Sequence, residues 1–280
     1  MTNWIYLECR LRNGAPRVDL ILRVDRRGRD VLAGRNQIIS LDDALHTHSV
    51  WRGIRALARQ WSEPSSSLYQ GVERIWLEFD LHARDGAPTN TMPAPGVFIE
   101  FANSVYAHRR TDVRVRVAMA SLRAILPECL SADVVRNLRA CWEVLPDHAT
   151  IPYLGLFPAR GSQAVRVCVA GLGEIDLPTY LRSVRWPGSL DGLARTIATL
   201  CPPHLSTRPR MAVVNLDVDR LLLPSVGIEY LLRRASQLRG EITEAAFLDG
   251  LVEGGFCSPA KRDALLTWPG LSMHTMRHEL

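Results

Sequence analysis

A chain of 280 residues, 47% hydrophobic and 22% charged, can bury a substantial core as one large domain or two ordinary ones, without disulfide staples. The net charge of +5 comes with 34 basic residues, of which Lys261 is the one lysine. The arginines are scattered, which argues against a nucleic-acid footprint, and no apolar run approaches the length of a membrane span.

The N-terminus lacks the basic start and long apolar core of a signal peptide. The six cysteines, Cys9, Cys129, Cys141, Cys168, Cys201 and Cys257, are far apart and none forms a zinc-type close pair. Cys141 and Cys168 sit in apolar periodic segments and read as core residues. The expectation is a reduced, cytoplasmic protein with no metal and no cofactor. The arginine excess has two readings: codon bias in a genome rich in G and C, or an arginine surface for phosphate or carboxylate recognition.

In chain order, residues 4–34 read as strands. Val18–Val24 and Val31–Ala33 flank a turn containing Arg26-Arg27-Gly28-Arg29. Ser40 is placed to cap a helix running from Leu41 to about Trp61, with Asp42 and Asp43 in its first turn. Leu45, Val50, Trp51, Ile54, Leu57, Ala58 and Trp61 supply its apolar stripe. Ser62–Leu68 has linker composition. It suggests a β-β-α domain over residues 1–64 and an α+β body over 65–280 that ends in a helix pair.

Three apolar strand pairs follow: Arg74–Asp80 with Gly96–Phe101, Ile151–Phe157 with Val165–Val169, and Met211–Asp217 with Val226–Leu232. Ala83–Pro95 is too rich in proline to be strand or helix. Val113–Val117 alternates like a strand, whereas Ala118–Leu126 reads as helix. Ser131 caps a helix over Ala132–Val144. Pro158–Ser162 forms a turn, and helices are expected over Leu177–Val184, Leu190–Leu200, Glu244–Glu253 and Pro259–Thr267. Trp268, next to Pro269-Gly270, is expected to be a buried anchor of the last pair. The fold class is α+β: antiparallel strand pairs with covering helices and a helical C-terminal end. A repeated β-β-α-α unit and a chance likeness of hydrophobic patterns both account for the three pairs.

The candidate chemistry is sparse. His46 and His48 do not share a helix face and cannot chelate one metal as an i, i+4 pair would. His82, His108, His148, His204, His274 and His278 have no ligand spacing that stands out, apart from His274-x-x-x-His278 at the chain end. Asp217 and Asp219 could place two carboxylates on one strand face for acid–base work, although a polar strand end explains them as well. Trp76, Glu78 and Asp80 share one face of their strand. That is either an ordinary exposed sheet face or a surface for a basic or apolar peptide. Gly171-Leu-Gly173-Glu174 follows a strand and precedes a helix but lacks the third glycine of a dinucleotide turn. The pair Glu244–Glu253 and Pro259–Thr267 has helix-turn-helix spacing, yet Lys261 and Arg262 alone do not make a DNA reader. No catalytic residue is assigned.

Several segments taken in order carry a resemblance. They are Trp76-Leu-Glu-Phe-Asp80, Pro95-Gly-Val-Phe98, Val165-Arg-Val-Cys168, Gly227-Ile-Glu-Tyr230, Phe247–Cys257 and Ala264–Gly270. Together they resemble the peptide-binding proteins of crocagin-type ribosomal peptide (RiPP) maturation clusters, over roughly residues 72–270. The resemblance implies a bacterial, non-catalytic protein that holds a precursor peptide for modifying enzymes of natural-product biosynthesis, as a homodimer. It assigns no peptide-binding residues. Strand edges suit such a role, since an extended peptide can add to a sheet through its main chain, and arginines could pair with acidic peptide side chains. The competing expectation is an enzyme, peptide-modifying or hydrolytic, whose site converges only in three dimensions.

Overall fold

Alternating apolar and polar residues produce eight strands that pair in strict sequence order. They are β1 (Ile5–Cys9), β2 (Arg17–Val24), β3 (Val72–His82), β4 (Gly96–Phe101), β5 (Thr150–Leu156), β6 (Val165–Ala170), β7 (Arg210–Val218) and β8 (Leu222–Leu231). The computed structural model describes residues 5–9, 11, 17–35, 48–82, 93–107, 111–127, 130–200, 210–231 and 244–267. The β1 to β7 ladders are antiparallel, and register carries one face of β3 across the sheet. Leu77 pairs with Leu22 and Val97, Ile99 with Leu154, and Leu154 with Val167. The opposite face runs from Arg23 through Trp76, Phe98, Gly155 and Arg166 to Asp217. A slip of one residue would exchange the two faces, so burial of the apolar one sets the register.

The described residues form ten helices: α1 (Arg29–Leu32), α2 (Ser49–Trp61), α3 (Ser67–Gly71), α4 (Asn103–Ala107), α5 (Thr111–Ile125), α6 (Ala132–Glu143), α7 (Asp176–Ser183), α8 (Leu190–Leu200), α9 (Glu244–Glu253) and α10 (Pro259–Thr267). The α2 stripe of Val50, Trp51, Ile54, Leu57, Ala58 and Trp61 is buried. Trp51 lies 6.2 Å from Phe79 on the apolar face of β3, and Trp61 Nε1 donates to the Val72 carbonyl at 2.9 Å. Gly53 lets α2 approach α5: a Cβ there would stand 2.8 Å from Ile125 Cα. Ser131 caps α6 by accepting from Val134 N. Buried Tyr180 on α7 donates to the Cys141 carbonyl on α6 at 3.1 Å.

Two compact units emerge. The first comprises Met1–Cys9, Pro16–Leu190 and Met211–Leu231 and holds the sheet with α1–α7. The second comprises Arg10–Ala15, Asp191–Arg210 and Leu232–Leu280. In it, Gly255 at φ 72° turns the chain between α9 and α10, Ser258 Oγ accepts from Lys261 N, and Arg262 Nε donates to Asp249 at 2.8 Å. The chain does not divide at residue 64: β2 and β3, on either side of Ser62–Leu68, pair from Arg17–His82 to Val24–Ile75.

Local differences from the sequence expectations have identifiable causes. Val31–Ala33, expected as strand, lies at helix α1 and its C-cap. Asp25 Oδ1 accepts from Arg27 N and Gly28 N, and this side-chain turn starts the helix. Val113–Val117 is helical, because Val115, Ala118, Met119 and Leu122 make a buried stripe of helical period that outweighs the short alternation. The helix expected from Leu41 is described from Ser49, where His48 caps it; Ser40 and residues 41–47 lie outside the described residues, as does Trp268. No helix of the described residues is long and apolar enough to cross a membrane.

Candidate functional site: the polar face of the sheet

Helices cover the apolar face of the sheet, so the chemistry gathers on the other. The sheet curls enough for Glu229 on β8 to act electrostatically on Glu8 of β1. Among the described side chains of this face, Glu8, Asp19, Glu78, Asp80, Glu100, Asp217 and Glu229 outnumber Arg23, Arg74, Arg160 and Arg166. A protein of positive net charge therefore presents an acidic face.

Arg160 organises the centre. A 3-10 turn, Pro158–Arg160, closes on Gly161 in the left-handed region at φ 68° and follows β5 directly. It directs the guanidinium to β3, where Nε donates to Asp80 Oδ2 at 2.8 Å and Nη2 donates to Glu78. The Phe157 ring lies 4.4 Å from the Arg160 guanidinium and 4.6 Å from that of Arg166, and 5.3 Å edge-on from Phe98. Two glycines make room for these rings. A Cβ on Gly96 would come within 2.9 Å of Phe157, and one on Gly155 within 2.8 Å of Phe98. Arg166 holds Asp217 with two bonds of 2.8 and 3.0 Å. Arg74 and Trp76 Nε1 both donate to Glu100, the indole at 2.9 Å. Tyr6 packs 5.6 Å from Trp76, with the Arg23 guanidinium 5.8 Å from that ring. Thus Arg74, Arg160 and Arg166 are neutralised by carboxylates of this chain, and the expected pairing of arginines with an acidic peptide finds little support here.

At the β1 end, Glu8, buried Asp19 and buried Glu78 each bring one carboxylate oxygen within 4.8 Å of the others. Glu8 is exposed as a residue, yet partial desolvation of its carboxyl raises its pKa, helped by repulsion from Glu78, Asp19 and Glu229. Burial also raises that of Glu78, against the opposing pull of Arg160. Three oxygens at this spacing suit an ammonium, a guanidinium or a hard divalent cation. Any such cation would compete with Arg160 for Glu78. Nearby, burial pushes the Tyr153 hydroxyl up to about 12, with Glu100 adding to it, and raises the Cys168 thiol. A thiol so shifted is not a ready nucleophile.

The structure sorts the sequence candidates. Trp76, Glu78 and Asp80 do share a face, and Asp217 joins them on it. Asp219 lies beyond the end of β7. His48 accepts from Val50 N as a cap, and His148 pairs with Asp176 at 3.1 Å. The remaining histidine side chains lie outside the described residues. Asp176 also accepts from Gly173 N, placing an anion in the turn where a dinucleotide phosphate would sit. Cys9, Cys141, Cys168 and Cys257 are free thiols. Glu8, Asp19 and Glu100 were not singled out from the sequence, although each alternates in phase with the polar face of its strand. Arg160 carried no sequence signal beyond its turn.

Comparison with protein-family models, with curated proteins and with solved structures gave no match.

Proposed function

We propose that this chain is a peptide-binding protein that performs no chemistry of its own and holds a ribosomal precursor peptide for modifying enzymes. The observation that carries the reading is the acidic, aromatic-lined face of the curled sheet, lying beside an edge strand. Among the described residues β1 pairs only with β2, and its Ile5 and Leu7 are 66% and 60% exposed. A peptide added along β1 would bond through its main chain and continue the alternation. Its side chains on one side would meet Tyr6 and Glu8; those on the other would meet Ile5 and Leu7. The favoured ligand is therefore an extended segment alternating apolar and basic residues. The same reading takes the protein as a homodimer of the cytoplasm and the three strand pairs as copies of one β-β-α-α unit. Sedimentation showing only monomer at micromolar concentration would count against the dimer.

The test is calorimetric titration with small peptides encoded near the gene. Binding should weaken about tenfold or more in Trp76→Ala and in Glu8→Lys, and should fall with added salt because exposed charges are screened. Unchanged affinity in both variants would remove this face from the reading. A second reading, an enzyme, draws on the convergence of Glu8, Asp19 and Glu78, two of them with raised pKa values suited to acid–base work. A mass change in the peptide on incubation with the purified protein alone would establish it over the first.

A further inference from the structure

A second surface lies on the helical layer, independent of the polar sheet face. Between α5 and α6 runs a cleft of about 460 Å³. Its floor is apolar: Val115 and Met119 are buried beneath it, and Val135 faces them from α6. Its rim is basic. Arg116 and Arg123 are exposed, two turns apart on α5, and have no carboxylate partner among the described residues. Arg139 stands on the α6 side, held by Asp112 at 2.6 Å and Glu143 at 3.8 Å. The cleft follows α5 from Asp112 to Arg123, about three helical turns.

We propose that this cleft docks an acidic amphipathic helix of a partner protein. Charge complementarity selects the sign: the rim offers two uncompensated guanidiniums and a third that is already oriented by its own carboxylates. The apolar floor selects the class. An amphipathic helix would lay Leu or Met side chains on Val115, Met119 and Val135 while its flanking Glu or Asp residues reach the arginines. A nucleic-acid backbone would satisfy the rim but leave the floor uncovered. The polar sheet face carries the opposite charge, so the two surfaces select different ligands and can be occupied together.

The test uses the full chain and three fluorescent probes: a helix-forming peptide of Leu and Glu with leucines at i, i+3, i+4 and i+7, an oligoglutamate of equal charge, and a single-stranded DNA oligonucleotide. Anisotropy should show binding of the first and little of the other two. Arg116→Glu/Arg123→Glu, whose fold is checked by melting temperature, should weaken it about tenfold or more, and Val135→Glu should act in the same direction. Trp76→Ala should leave it unchanged, which separates this surface from the peptide site of the sheet. Three results would each overturn the proposal: no binding of the Leu–Glu peptide, equal binding of oligoglutamate or DNA, or indifference to the charge reversal.

Discussion

Replacing Arg160 by Met tests whether the polar face depends on a single cation. Glu78 has a side chain only 7% exposed, whereas that of Arg160 is 32% exposed. Removing one partner of a buried pair costs about 3–5 kcal/mol, and the partial exposure of Arg160 lowers this to about 2–3 kcal/mol. An independent ceiling comes from protonation. Glu78 can escape the penalty by taking up a proton, which for a carboxyl of ordinary pKa 4.5 costs about 3.4 kcal/mol at pH 7 and about 0.7 at pH 5. In the variant Glu78 loses the two interactions with Arg160 that lower its pKa, so its folded value rises further. A raised folded pKa favours the fold at low pH, and that advantage is lost as pH climbs through it. The loss of stability should therefore be about 2–3 kcal/mol at pH 7 and under about 1 kcal/mol at pH 5. Urea unfolding followed by tryptophan fluorescence measures both. Arg160→Met/Glu78→Gln should recover the share of the loss at pH 7 that Glu78 carries, with Asp80 still lacking its partner. Equal destabilisation at the two pH values would refute the reasoning and assign the cost to packing against Phe157.

Other outcomes follow from the same structure. Glu8→Gln should raise the melting temperature at pH 7, since the folded pKa of Glu8 is raised and its charge opposes folding; the gain should vanish as pH falls below about 4.5, and a lowered melting temperature at pH 7 would contradict the repulsion. Gly53→Ala, which on helix propensity alone should stabilise α2 by about 1 kcal/mol, should instead destabilise by about 1–3 kcal/mol because its Cβ meets the Ile125 backbone, as thermal unfolding would show. Tyr180→Phe should cost about 1 kcal/mol through the lost bond to the Cys141 carbonyl, read by urea unfolding. Burial pushes the Cys141 thiol up to about 12 and raises Cys168. At pH 8 iodoacetamide should therefore modify Cys9 well before these two, and peptide mass mapping that finds Cys168 labelled first would overturn this.

The strands of the sheet were legible where their own alternation is strong, as in Ile75, Leu77 and Phe79 against Trp76, Glu78 and Asp80, because period two is a local property of the chain. The caps at Ser131 and Ser258 and the helices Leu190–Leu200, Glu244–Glu253 and Pro259–Thr267 were legible for the same reason. Residues 31–33 read as strand but are helical, and 113–117 fit strand and helix alike, because runs this short fit two periods and packing decides between them. Joining of the strand pairs into one eight-stranded meander could not be read, since cross-strand register depends on partners far along the chain. The site follows the same division. That Trp76, Glu78 and Asp80 share a face is intrinsic to one strand. That Arg160, from a turn eighty residues on, neutralises two of them, and that Glu8 and Asp19 converge on Glu78, arises only when the curled sheet brings distant carboxylates together.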